Sequence, residues 1–150
     1  MRVGLAADHE GFELKEKISA FLRQADFEIT DYGALALDAG DDYPDFVIPL
    51  AKAVAAKEVS RGIAICGSGI GACIASNKVK GVRSGIIHDL FSARQGVEDD
   101  DMNVICIGAR LTSFSLATEL IQCFLAAKFS GKSRHIRRIA KVSKLEEMES

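Results

Sequence analysis

Short runs rich in Val and Ile recur along the chain: RVGLAA at residues 2–7, FEITDYG at 27–33, RGIAIC at 61–66, VRSGIIH at 82–88 and NVICIGA at 103–109. Runs of this length and near-continuous apolarity predict strands buried on both faces, as in a parallel sheet. Between them the period lengthens to that of a helix. Leu14, Ile18, Phe21, Leu22 and Ala25 share one helical face, as do Val47, Leu50, Ala51 and Val54, and then Leu116, Leu120, Ile121, Phe124 and Leu125. Strands alternating with covering helices, joined by right-handed crossovers, predict an α/β fold. The expected architecture is a three-layer α/β/α sandwich around a five-stranded parallel, Rossmann-like sheet, with residues 1–150 forming one domain.

Composition narrows the function classes. At 150 residues and 48% hydrophobic the chain can bury a real core. A formal net charge of −2 removes any global pull toward nucleic acid or an anionic membrane, so anion binding must come from a local cluster. The first apolar run is broken by Asp8, His9 and Glu10, too early for a signal peptide, and no later run is long enough to cross a bilayer. A cytoplasmic protein with no membrane or nucleic-acid partner is expected. Cys66, Cys73, Cys106 and Cys123 lie in apolar surroundings without CxxC spacing, which favours reduced thiols over disulfides.

In a doubly wound sheet, ligands bind beyond the carboxyl ends of the strands. There the chain places Asp8 and His9 after the first strand and Asp41, Asp42 and Tyr43 after the second. Cys66 ends the third, His88 and Asp89 follow the fourth, and Arg110 follows the fifth. One polar residue at such a rim is ordinary; the collection implies a small-molecule site. The densest signal is Cys66 running into Gly67-Ser68-Gly69-Ile70-Gly71 and then a helix. Alternate glycines allow a sharp turn that aims N–H groups at an anion, and the helix dipole adds to that field. The same field would stabilise a thiolate at Cys66, fitting it as base or nucleophile, although a buried inert cysteine also fits this position.

Spacing tests the other readings of the loop. It lacks the Lys-Ser/Thr of a P-loop, the arginine six residues on that a cysteine phosphatase needs, and the flanking glycines of a serine nucleophile elbow. Gly67, Gly69 and Ala72 do satisfy G-x-G-x-x-A, and Asp89 follows the next strand, so a nucleotide-binding module is the rival from another class. Two unusual stretches remain. Glu98-Asp99-Asp100-Asp101 lacks EF-hand spacing and a nearby His or Cys pair, so no metal is expected. A basic terminal segment carries Lys132, Arg134, His135, Arg137, Arg138 and Lys141, with Arg134 and Arg138 on one helical face, suited to gripping one phosphate. Its core face is limited to Ile136, Ile139 and Ala140, which suggests a helix laid across a partner subunit; His135 fits a surface position.

The motifs ADHEGFELK, DDYPDF, ICGSGIGACIASNKVKGVR, NVICIGAR and SRHIRRI, in this order over nearly the whole chain, resemble the ribose-5-phosphate isomerase B and galactose-6-phosphate isomerase family. The resemblance implies a homodimer, with a tetramer the larger alternative, whose sites lie between subunits and need neither cofactor nor metal. It makes Cys66 the base that moves a proton between C1 and C2 of an open-chain sugar phosphate, with the N–H groups at Gly67, Gly69 and Gly71 around the enediolate. Ser68 stands where the family commonly has Thr and would assist proton movement between O1 and O2. Asp8 and Tyr43 resemble sugar contacts; His9, Arg110, Arg134 and Arg138 resemble a phosphate grip. The chain departs from the family at Asp99 and Asp100, where His-Asn is usual and the histidine opens the sugar ring. An ordinary carboxylate near neutral pH cannot donate that proton. Either Asp8 or His88 takes over, or the substrate is not ribose 5-phosphate but a hexose 6-phosphate such as allose or galactose 6-phosphate. A family-shaped binder without catalysis is the remaining reading.

Overall fold

The computed structural model describes residues 1–148. The elements run β1 (Arg2–Ala7), α1 (Phe12–Gln24), β2 (Glu28–Asp31), α2 (Pro44–Ala55), β3 (Arg61–Cys66), α3 (Ile70–Asn77), β4 (Ser84–Ile86), α4 (Leu90–Asp100), β5 (Val104–Gly108), α5 (Phe114–Ala126) and α6 (Ser133–Met148). All strand pairs are parallel and the order is β2-β1-β3-β5-β4. The expected sandwich is therefore present, with β1, β3 and β5 at its centre.

The apolar runs divide as a two-sided sheet requires. Val3, Leu5, Ile63, Ile65, Ile105 and Ile107 point to one face, where α1, α4 and α5 cover them through Ile18, Leu22, Val97, Leu120 and Phe124. Ala6, Ala64, Val104 and Cys106 point to the other, under Val47, Leu50 and Val54 of α2 and Ala72 of α3. Lys15, fully buried on α1, bonds Asp31 at 2.5 Å and Glu16 at 2.9 Å, tying the helix to the end of β2.

The chain leaves β1 toward β2 on one side and returns to β3 on the other, so the topological switch falls between β1 and β3. Register pairs Ala7 with Ile65 and Cys66 with Gly108, which brings the ends of β1, β3 and β5 together. That crevice is where a doubly wound sheet binds ligands.

Helix α6 stands apart from this packing. His135 is its one buried residue among those described, while Ile136, Val142, Leu145 and Met148 are exposed. The helix packs on α4, and Glu146 accepts the Gly81 N–H just before β4. The surface position expected for His135 is thus corrected. Its ring is buried against the half-exposed carboxylate of Asp99, while Ile136, one of the three residues expected to form the core face, is exposed.

Candidate active site

Cys66 ends β3 as a buried thiol, and the chain turns at once. Gly69 adopts φ +85°, a left-handed conformation that costs an L side chain energy, and its N–H lies 3.2 Å from Cys66 Sγ. The turn hands over to α3, whose first residues follow the thiol with the positive end of their dipole. Ser68 Oγ accepts the Ile70 N–H at 3.2 Å, so the hydroxyl sits at the loop crest.

Two neighbours press on this loop, and each explains a glycine. A Cβ on Gly71 would come within 2.7–2.9 Å of the Tyr43 ring, and one on Gly108 within 2.6 Å of the Ser68 backbone. Tyr43 thus leans on the loop from the start of α2, and the end of β5 supports it from beneath. Backbone bonds lock that support: Ala109 N–H donates to Cys66 O at 2.8 Å and Arg110 N–H to Gly67 O at 3.0 Å.

Asp8 faces the same crevice. Its side chain closes a turn by accepting the N–H groups of Glu10 and Gly11 at 3.0 and 3.1 Å. Burial pushes its carboxyl above the ordinary carboxylate range, against the opposing pull of those N–H groups. His9, next along, bonds Asp41 Oδ1 through both its N–H, at 2.9 Å, and its Nδ1, at 2.7 Å. The Asp41 hydrogen bond, outweighing some burial, raises the His9 imidazolium above its usual range. Among the described residues, Asp8, His9 and Asp41 form the group whose ligand atoms converge, within 4.8 Å. Asp41 already engages His9 Nδ1, so that nitrogen is not free to ligate a cation in this arrangement.

Not every expected site residue joins this crevice. Asp99 and Asp100 end α4, which runs back along the sheet to the start of β5. They lie at the opposite edge, a strand length from Cys66, roughly 15 Å at about 3.3 Å per residue. There Asp99 Oδ1 meets His135 Nε2 at 3.3 Å, and Asp100 and Arg138 line one cleft with Arg83, Ile139 and Val142. Arg134 opens α6 at this edge, exposed. The acidic run and the basic helix thus explain each other, with Arg83 on Asp101 at 3.3 Å completing the exchange. Asp89, which the nucleotide reading needs for a ribose, instead caps α4 by accepting the Ser92 N–H and hydroxyl, which holds its carboxyl below the usual range. His88 is exposed at the rim.

Three features that the sequence reading assigned no role belong to the crevice: Asp41, Glu10 and Gly108. Asp41 had a signal in its place after the second strand. Glu10 and Gly108 had none, since each acts through a neighbour distant in sequence.

A thiol, an N–H-lined loop and a cationic rim at the switch point of a parallel α/β sheet define an enzyme for a small anionic substrate. Comparison with known proteins agrees. The Ribose/Galactose Isomerase family model matches residues 3–142, and the chain belongs to that family. Ribose-5-phosphate isomerase B of Mycobacterium tuberculosis is 41% identical over 139 residues, covering 93% of this chain and 86% of the relative. The structure of ribose-5-phosphate isomerase B from Clostridium thermocellum superposes with a TM-score of 0.96 at 37% identity, covering 100% of both chains. That of the Mycoplasma genitalium enzyme with bound ribulose-5-phosphate gives 0.93 at 38% identity, covering 97% of this chain and 96% of the other.

Proposed function

We propose that this chain is an aldose–ketose isomerase of a phosphorylated sugar, converting ribose 5-phosphate to ribulose 5-phosphate through an enediolate. The observation that carries the reading is Cys66 at the switch point with the Gly69 N–H on its sulfur, in a chain 38% identical to a protein holding ribulose-5-phosphate. In the forward direction the Cys66 thiolate takes the C2 proton and returns it to C1. The electron pair left at C2 forms the C1–C2 double bond and moves charge onto the carbonyl oxygen at C1. Backbone N–H groups at Gly67, Gly69 and Gly71 stabilise that oxygen, and Ser68 passes a proton between O2 and O1. Asp8 and Tyr43 border the sugar; His9 and Arg110 attract its phosphate.

The site is completed by a second copy. Arg134, Arg138, Asp99 and Asp100 sit at the wrong edge to reach their own Cys66, and α6 exposes an apolar stripe beside them. A homodimer that lays this edge over the crevice of its partner joins the halves and covers the stripe. No described helix is long and apolar enough to cross a membrane, and four free thiols suit the reducing cytoplasm. The nucleotide-binding alternative is not favoured by the family, and Asp89, which it needs for a ribose, is taken up as the cap of α4.

The test is an isomerisation assay on ribose 5-phosphate and on allose and galactose 6-phosphates, with wild type and Cys66→Ala. Turnover should fall by about 10²–10⁴ in the variant while sugar-phosphate binding persists. Retained turnover would remove the thiol as base. A preference for a hexose 6-phosphate would reassign the substrate.

A further inference from the structure

The cationic rim already holds an anion of the protein's own. Arg110 Nη2 donates to Glu10 Oε1, and the Glu10 carboxylate lies across Gly67. A Cβ on Gly67 would run into Glu10 Oε2 and lie 3.5 Å from Arg110 Nε. Both side chains reach this point from backbone fixed to the crevice: Asp8 holds the Glu10 N–H, and the Arg110 N–H is held by Gly67 O. The carboxylate is mostly buried, at 28% side-chain exposure, while the Arg110 side chain is 71% exposed. A carboxylate on a guanidinium, set over a loop of N–H groups, occupies the place an incoming anion would take.

We propose that Glu10 sets the affinity threshold for anions at this site: an internal anion that occupies Arg110 and the mouth of the glycine loop in the empty site, and that the substrate's phosphate displaces. This rests on the sugar-phosphate reading above. A phosphate dianion has the charge and the extra oxygens to outcompete a single carboxylate for a guanidinium. A sugar carrying a carboxylate meets an equal competitor and gains nothing by exchange, and a neutral sugar cannot exchange at all. Glu10 thereby sets a threshold that phosphorylated sugars pass and sugar acids do not. Its effect is exerted on Arg110, so it is a positioning residue that does not touch the reacting carbons.

The experiment compares wild type with Glu10→Gln, a near-isosteric change that keeps the backbone N–H bonded to Asp8. Calorimetry measures binding of inorganic phosphate and of a sugar acid, and steady-state kinetics measure KM and kcat for ribose 5-phosphate. Removing the competing charge of this half-exposed pair should tighten phosphate binding and lower KM by about two- to fivefold, with little of the change in kcat. The sugar acid should gain by a similar factor, because the same internal anion must leave before either binds. In an Arg110→Gln background the Glu10 substitution should have no effect. Unchanged or weakened phosphate binding in Glu10→Gln, an effect that persists without Arg110, or no phosphate binding by either protein would overturn the proposal. Because calorimetry needs no turnover, failure of the isomerase reading, seen as wild type turning over no sugar phosphate, is read separately.

Discussion

Asp41 Oδ1 accepts two hydrogen bonds from one residue, His9, through its N–H at 2.9 Å and its Nδ1 at 2.7 Å. A carboxylate can only accept, so the proton lies on Nδ1 and the ring orientation is fixed. The charged ring is favoured by Asp41 first, and then by the nearby Asp8 and Glu10, while partial burial opposes it.

The sign of the pH dependence follows. With its folded-state pKa raised above the ordinary 6.5, His9 contributes its charged interaction fully below that value and loses it as pH rises through the folded one. Asp41→Asn should lower the His9 titration midpoint, observed by nuclear magnetic resonance, and shift the alkaline loss of phosphate affinity to lower pH. A His9 midpoint that stays in place would show that Asp41 does not hold the charge.

Gly108 carries a steric prediction. The atoms a Cβ would strike there, at 2.6–2.9 Å, belong to the Ser68 backbone and cannot swing aside as a side chain can. Gly108→Ala should destabilise the protein by about 1–3 kcal/mol and displace the loop, lowering kcat. Thermal unfolding and kinetics check both, and an unaltered kcat would mean that β5 does not set the loop.

Helix α6 hangs on few contacts, among them His135, its one buried residue among those described, which meets Asp99. His135→Ala should raise amide exchange across residues 133–148 while leaving β1, β3 and β5 protected. Exchange rising equally throughout would mean that α6 unfolds only with the whole domain.

The sheet and its main covering helices could be read from the chain because double-sided burial leaves a pattern that few other structures share. The crevice residues after β1, β3 and β5 followed from that topology. Strand order did not, since runs such as RGIAIC and NVICIGA are alike in pattern and carry no label for their neighbours. Two kinds of fact escaped. One was pairing over long sequence separations, as with Glu10 and Arg110 or Asp99 and His135. The other was distance: Asp99 and Cys66 share a family site on paper, yet lie at opposite edges of one sheet. Helix α4 shows a milder failure, because its short apolar stripe of Ala93 and Val97 ends in acids whose partners Arg83, Arg94, Gln95 and His135 are not marked by the pattern.

The division of groups between the two edges bears on how such an enzyme diverges. Residues 66–71 are hemmed in by Tyr43, Gly108 and Glu10, so drift there disturbs the shape of the loop. The ends of α4 and α6 where Asp100 and Arg134 lie face outward and leave those two side chains exposed. In the dimer proposed above, selection could therefore retune which sugar is admitted at one end of the sheet while the reaction itself is inherited unchanged at the other.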